Sequence, residues 1–528
     1  MYVAPVAPAS QRSQLRSEIQ PPPLRGWNAR DALSGMKAGD AIRLDNVICR
    51  PHGLEIRPGK QRWLTGCNGA VETLMVYGPK KGDQRLFAAT PSAIYDVTRG
   101  RVTNILTSDV TMTPEVSGLT SGLWSWDQLT NAGVTVLVCA NGADGVRFYD
   151  GSEWRTSAIT CGAPNTTLDP NLLDGIVVHQ RRVFAFEKGT LRLWYLPLGH
   201  IGGAAQLIDL GGEVTQGGEI IALTTMSNDG GRGIDNRIVV VTSAGEMVVF
   251  SGVAPERAAT WKKLGAWPVP PPVGKRCFAQ YGGDVVYLST VGALPVSRIL
   301  AKPEPDKPRE ALTETIRRAY ERAVVAGETE TAWGVIESFK NRLMLINTPT
   351  QDGSAQMVLS SDGGWSAFVG LDALCWAECG VDLFFGDANG DVFRLAGSQD
   401  DGGPISAFIV EAYSRFKTPA KKVFKRARAI FDQPAKMVVR HGLYTNFAPI
   451  PGTLTGPTET WSGTPWTWDQ FGWALQPPAW TNDVRGQTDV WRGITGHGHA
   501  AALITALSAT EPVVYEGTEI AYEVGGQL

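Results

Sequence analysis

The sequence predicts an all-β protein: a β-propeller of six or seven blades, a second β-domain toward the C-terminus, and one inserted helix. Three observations predict it. Short apolar runs with a period of two recur through 67–403, punctuated by Gly, Pro, Asn-Gly and Asp-Gly turns. They group into rounds of about 45 to 55 residues, the size of a four-stranded blade. With 60 Gly, 33 Pro and 17 Trp in 528 residues, the composition suits many short strands and turns better than helices. A β-sandwich would not use seven such rounds.

Taken in order, 1–25 read as a flexible arm, because Pro5, Pro8 and Pro21 to Pro23 block regular structure. Residues 26–66 hold a short turn of helix capped by Asp31 and strands at 41–47 and 54–57, expected to complete the C-terminal domain. The rounds start at 74–77, 85–88 and 93–96, continue at 134–140, 146–149 and 154–159, and then reach 175–185 and 191–195. The third contains the clearest hairpin: Val183, Ala185 and Glu187 alternate with Phe184, Phe186 and Lys188, Lys188-Gly189 turns the chain, and Leu191 to Tyr195 return before Pro197. A fourth round occupies 220–264, a fifth opens at 275–289, a sixth spans 334–368 and a seventh 373–395. Within the seventh, Asn389-Gly390 is a hairpin turn.

The helix falls at 309–326, with Ala311, Thr315, Ile316, Ala319, Tyr320 and Ala323 on one face and Pro303, Pro305 and Pro308 before it. Contact with a partner subunit and capping of a blade edge are both open to it. After Gly403 the blade rhythm stops. Residues 404–528 read as a β-rich platform or interface domain in which Trp461, Trp466, Trp468, Trp473, Trp480 and Trp491 sit among Gly, Thr and Pro. These tryptophans suit a core or a subunit interface, with a sugar-stacking surface as the alternative.

Charge and cysteine content narrow the function. Against 52 acidic residues stand 49 basic ones, a net charge of −3, which argues against a surface that grips nucleic acid throughout. Seven scattered cysteines do not form a secreted disulfide framework; Cys375 and Cys379 lack the second ligand pair of a zinc site and read as core. No signal peptide and no membrane-spanning run is expected, so synthesis in a reducing cytoplasm follows.

Catalytic constellations are scarce. The six histidines show no metal-ligand spacing, and His497 with His499 would need a third ligand from elsewhere. There is no nucleophile elbow and no phosphate-binding Gly-Lys-Ser/Thr loop. Ser360-Ser-Asp-Gly-Gly-Trp365 and Asp387-Ala-Asn-Gly-Asp391 read as plain turns. No catalytic residue, metal or cofactor is therefore expected. One charged feature stands out: Arg415, Lys417, Lys421, Lys422, Lys425, Arg426 and Arg428 form a basic strip with charge on both faces of a strand. It reads as a DNA-facing strip, an inter-subunit salt-bridge strand, or a solvated edge strand protected by lysines.

The chain also resembles a known family. Gly26-Trp-Asn-Ala-Arg-Asp-Ala-Leu-Ser-Gly-Met36, then Ala41-Ile-Arg-Leu-Asp-Asn-Val47 and Gly53-Leu-Glu-Ile-Arg-Pro-Gly59, are similar to the opening of the tail nozzle, or tail tubular, proteins of short-tailed bacteriophages. The hairpin Glu187 to Pro197 with Ile201-Gly-Gly203, Ala412-Tyr-Ser-Arg-Phe416, and the ending Tyr522-Glu-Val-Gly-Gly-Gln-Leu528 resemble it too. The resemblance implies a structural virion protein rather than an enzyme: a homo-oligomer, hexameric, placed below the portal and adaptor. Genomic DNA would pass through its lumen without sequence-specific binding. Two alternatives from other classes are a glycan-binding or glycan-cleaving propeller for host recognition and a monomeric propeller scaffold for protein partners.

Overall fold

The computed structural model describes residues 15–78, 83–100, 112–229, 234–301, 310–327, 333–350, 353–433, 437–448, 459–461, 486–487 and 491–525. The chain divides into two compact units. One comprises residues 1–57, 362–366 and 403–528, the other 58–361 and 367–402.

Among the described residues, the larger unit is a succession of seven sets of mainly antiparallel strands, six of them separate small sheets, all called sheets below. The first is Thr73–Tyr77, Arg85–Ala89, Ala93–Asp96 and Val116–Ser117; the second is Ser125–Asn131, Val134–Ala140, Arg147–Tyr149 and Trp154–Thr156. The third is Leu173–His179, Arg182–Glu187, Arg192–Tyr195 and Gly203–Asp209, with Ile159–Cys161 added in parallel. The fourth is Ile220–Asp229, Ile234–Thr242, Glu246–Gly252 and Trp261–Pro268. The fifth has three strands, Phe278–Tyr281, Asp284–Ser289 and Gly292–Pro295. The sixth contains Gly334–Ser338, Leu343–Thr350 and Gly353–Ser360; its expected fourth strand, Trp365–Phe368, is divided between the units at Ser366.

The seventh sheet is Cys375–Cys379, Asp382–Gly386 and Val392–Leu395, and its outer strand comes from far away in sequence: Lys60–Leu64 pairs antiparallel with Val392–Leu395. Residues 26–66 were expected to complete the C-terminal domain together. Instead they part at Pro58, because the 60–64 strand finds its ladder partner in the larger unit.

The hairpin at Arg182–Glu187 shows why each sheet needs two neighbours. Gly189 takes φ +78 in the turn, and Phe184, Ala185 and Phe186 pair with Tyr195, Trp194 and Leu193. Val183, Ala185 and Trp194 bury against Val138 and Ala140 of the second sheet. The alternate residues Phe184, Phe186, Leu193 and Tyr195 bury against Ile238, Val240 and Val248 of the fourth. Met75 and Phe87 of the first sheet meet Leu137 and Tyr149 of the second in the same way, and Phe384 and Val392 of the seventh meet Leu74 and Val76 of the first. The first strands of the second to seventh sheets lie side by side in sequence order, and that of the seventh lies beside that of the first. Glu187, buried among these apolar faces, is satisfied by the Trp194 indole N–H at 3.1 Å and by Arg192 at 3.4 Å.

The helix is shorter than its sequence suggests. A turn of 3-10 helix at Glu314–Ile316 precedes α-helix Arg317–Ala326, and a further short helix, Val296–Ala301, leaves the fifth sheet directly. Ile316, Ala319, Tyr320 and Ala323 are buried as expected, whereas Thr315 is exposed because the 3-10 turn changes the angular step before the helix begins. Tyr320 donates to the Ser289 carbonyl at 2.8 Å and packs its ring on Trp333. The helix lies against Gly292–Pro295 of the three-stranded fifth sheet and against Leu343–Thr350 of the sixth, which fits capping of a sheet edge.

In the smaller unit two sheets share one core. One orders Lys422–Gln433, Val514–Val524, Gly53–Ile56 and Val47–Arg50. The other runs through Asp40–Asp45, Gly403–Glu411, Ala501–Ala509 and Met437–Thr445. Leu44, Val47, Leu54, Ile409, Phe431, Val439, Leu507 and Tyr515 fill the space between them. Leu15–Gln20, expected within an arm, is a strand in register with Thr518 to Glu523; residues 1–14 lie outside the described residues. Within this unit Glu411 is buried and accepts the Tyr515 hydroxyl, which also meets Thr518 at 2.7 Å. Burial pushes the Glu411 carboxyl up to about 8, against a weaker downward pull from Tyr515.

Two outcomes follow from this packing. Trp194→Ala should lower stability by about 3–5 kcal/mol in urea denaturation, since it removes a side chain with 1 % exposure and leaves Glu187 with Arg192 alone. Leu198→Ala, at a residue with 46 % exposure, should stay within about 0.5 kcal/mol. Glu411 binds a proton in the folded state that the unfolded chain has already shed, so its contribution to stability declines as pH rises from its ordinary value of 4.5 through about 8. Glu411→Gln should flatten that decline and raise stability above pH 8 by on the order of a few kcal/mol, read from urea midpoints across the pH range.

Candidate functional site

The motif that opens the resemblance is built as a structural knot. Gly26 takes φ +84 so close to the Gly364-Trp365 backbone that a Cβ would lie 2.3 Å from the Trp365 nitrogen. Asn28 Oδ1 accepts the N–H groups of Arg30 and Asp31 at 3.1 and 3.0 Å, and its amide donates to Asp31 and Asp40 at 2.9 Å each. Arg25 closes on Asp40 at 2.8 Å, and Lys37 N–H meets the same carboxylate at 3.0 Å. Arg30, bonded to Asp31, holds that carboxyl down to about 2, with Asn28 assisting. Each polar group quoted in this motif is spent on shaping the loop.

The basic strip lies on Lys422–Gln433 and the turn before it, and the structure separates its members. Lys422 is fully buried; its ammonium donates to the carbonyls of Thr418, Ala420 and His499 at 2.7, 2.9 and 2.9 Å, and burial lowers its pKa. Lys425 meets Glu523 at 3.5 Å, Lys417 meets Glu18 at 3.4 Å, and Arg428 meets Glu519 at 2.6 Å while its guanidinium lies over the Trp491 ring. Arg415, Lys421 and Arg426 are exposed and carry no ion pair among the described residues.

Strict alternation places Arg426 on the face of Lys422 and Phe424. A β-bulge between Phe424 and Arg426 shifts the register against Val514–Val524, so Arg426 turns outward beside Lys425 and Ala427 takes the buried site. The strand is not an edge: it pairs with Val514–Val524 on one side and with Arg492–Gly498 on the other. Lysine protection of an open edge is therefore no account of its charge. Its ion pairs run to neighbouring strands of the same chain.

Other expected features resolve more simply. The His499 ring bonds to the Pro419 carbonyl at 2.9 Å. Among the described residues, no group of three His, Cys, Asp or Glu side chains is arranged to hold a metal. Cys375 is buried and Cys379 half-buried. Asp387 accepts the N–H groups of Asn389 and Asp391 at 2.9 Å each, which makes that segment a hairpin turn. Trp466, Trp468, Trp473 and Trp480 lie outside the described residues.

A site that the sequence does not announce lies in the larger unit. The first strands of all seven sheets line one cavity of about 500 Å³, which includes Trp126, Asp127, Phe278, Gln280, Asn347 and Trp376. Two cations just before the fifth sheet cross it. Lys275 pairs with the buried Asp174 of the third sheet. Arg276 donates to the Glu72 carbonyl and, at 2.7 Å, to the Thr73 hydroxyl at the start of the first sheet. Behind them is a smaller cavity of about 80 Å³, lined by Leu123, Phe186 and Ile221 among others. Asp127, opposite, accepts the N–H groups of Gln128 and Val178 at 2.7 Å each, and burial pushes its carboxyl above the usual range. The available signal was a charge at Asp174 inside the apolar strand Leu173–His179, a second acid at Asp127, and the adjacent pair Lys275-Arg276.

The strip yields one prediction. Lys422→Met keeps the length but takes the donor from three carbonyls around a buried ammonium, and should lower stability by about 1–3 kcal/mol; Lys421→Met, at an exposed neighbour, should stay within about 0.5 kcal/mol. Chemical denaturation of both variants distinguishes a structural lysine from a surface cation.

No family model matches the chain, and no curated protein matches it either. Solved structures do align with it at low similarity. The N-terminal part of BBS1 in complex with ARL6 is 11% identical over 65% of this chain and 99% of that one, with a TM-score of 0.38. YCF48 bound to a D1 peptide is 11% identical over 69% and 99%, with a TM-score of 0.36. The computationally designed protein Ika8 is 13% identical over 64% and 99%, with a TM-score of 0.35.

Proposed function

We propose that the seven sheets form a closed seven-bladed β-propeller and that the protein is a non-enzymatic structural component of a phage tail, part of the nozzle below the portal and adaptor. The observation that carries the propeller is the strand Lys60–Leu64, which completes the seventh sheet while that sheet packs against the first. In such an arrangement the two ends of the blade succession hold each other. The tail assignment rests on the family-like opening at Gly26, and what supports it is the use of Asn28, Arg30 and Asp31 to fix a loop rather than to present chemistry.

In this reading the protein is a homo-oligomer, hexameric, whose subunits surround the passing DNA. The cavity of the larger unit is not the conduit: a sphere of about 500 Å³ is about 10 Å across, less than the roughly 12 Å of the DNA major groove alone, and Lys275 and Arg276 cross it. The lumen lies between subunits, and Arg415, Lys421 and Arg426 are the cations left to face DNA or a neighbouring subunit. Near-neutral net charge suits a duct that must release what passes through it. Among the described residues no helix is long and apolar enough to cross a membrane.

The test is electron microscopy of the purified full chain, with its mass in solution and an assay for sugar release from host polysaccharide. Six-fold rings, and the protein's presence in virions, are expected. A dispersed monomer absent from virions would leave a propeller scaffold, and released sugar would move the protein among glycan-cleaving propellers; either result overturns the tail reading.

A further inference from the structure

We propose that the cavity shared by the seven first strands is a binding site for a small oxyanion, a carboxylate or phosphate group carried by a ligand that fits between its aromatic walls. The charges around it point that way. Lys275 is paired with Asp174, and burial favours the uncharged form of Asp127, whose carboxyl accepts two backbone N–H groups. Arg276 is left without an ion pair among the described residues: its acceptors are a carbonyl and a hydroxyl, both neutral, and both are met by one terminal nitrogen. The Glu72 carboxylate, the nearest acid in sequence to those acceptors, is turned to the Gly122 N–H at 3.1 Å. A guanidinium has five N–H donors in a fork that matches a carboxylate or phosphate, so donors remain on Arg276 for a ligand.

Geometry makes this a site rather than a stray charge. Arg276 is held from the side opposite its own sheet, through Thr73, whose hydroxyl is itself fixed by the Gly122 carbonyl at 2.6 Å and the Trp124 N–H at 3.0 Å. The guanidinium is thus preorganised. A guanidinium held out of bulk water and without an ion pair attracts an anion more strongly than one in water, because the surroundings screen it less. The volume is within the range of small-molecule sites, and Trp124, Trp126, Phe278 and Trp376 supply the apolar lining such sites use. Binding here requires only the cavity and not assembly into a tail.

The test is isothermal titration of the full chain with sodium phosphate and, separately, with sodium citrate, against sodium chloride at matched ionic strength. Saturable binding of either anion is expected, and the stronger of the two identifies the oxyanion. Arg276→Gln should weaken it at least about tenfold, through loss of a charge-assisted fork. Gln280→Glu, at an exposed lining residue, should weaken it by repulsion without disturbing Arg276, and so serves if Arg276→Gln fails to fold. Arg426→Gln, in the other unit, should leave binding unchanged. Absence of binding by both anions, binding that survives Gln280→Glu undiminished, or equal loss in Arg426→Gln would overturn the proposal.

Discussion

Each small sheet in the larger unit is apolar on both faces, and a sheet of four short strands can hide only one face against a single neighbour. Val183 and Ala185 require the second sheet, and Phe184 and Phe186 require the fourth, although all four lie on one strand. The same holds for Leu74 and Met75, which serve different interfaces on the first sheet. A linear stack would leave two terminal faces wet. Packing of the seventh sheet against the first covers a face of each, and the strand 60–64, which precedes the first sheet in sequence, is held in the seventh by its backbone ladder.

That constraint explains which parts of the fold were legible in the sequence. Period-two runs and turn residues located the third and fourth sheets well, because backbone pleat and Gly189-type turns act within a few residues. The partner of Lys60–Leu64 was not legible: the ladder spans more than three hundred positions, and nothing local in Lys-Gln-Arg-Trp-Leu distinguishes one edge from another. The helix shows the same boundary. Tyr320 and Ala323 were placed on the buried face by periodicity alone, while the start at Arg317 depended on a 3-10 turn whose angular step differs from that of the helix.

The basic strip illustrates how one residue of register changes a functional reading. Seven cations within fourteen positions suggest a single electrostatic surface. The bulge at Phe424–Arg426, the burial of Lys422 and the acids on Val514–Val524 divide them into one structural ammonium, three paired cations and three exposed ones. Only the last group keeps most of its field in water, and only at distances within the Debye length. Position along the strand was readable from the sequence; the hydrogen-bonding partner of each cation was not, because it came from strands at both ends of the chain.

The cavity lies at the opposite extreme. Its lining is drawn from every round of the sequence, one or a few residues at a time, so no window of the chain displays it. The charges that matter are Asp127, Asp174 and the pair Lys275-Arg276. A strand such as Leu173–His179, with side chains buried on both sides, has little reason to carry Asp174, and a segment entering a sheet has little reason to begin Lys275-Arg276. Two of these four charges compensate each other, Asp174 and Lys275, while burial favours the uncharged form of Asp127, which two backbone N–H groups hold. Arg276 has only neutral oxygens as hydrogen-bond acceptors, which satisfy it in part and leave it without an ion pair among the described residues. Burial lowers its pKa against weaker upward pulls from Cys375 and Glu72, and the same desolvation gives an incoming oxyanion its advantage over bulk solvent.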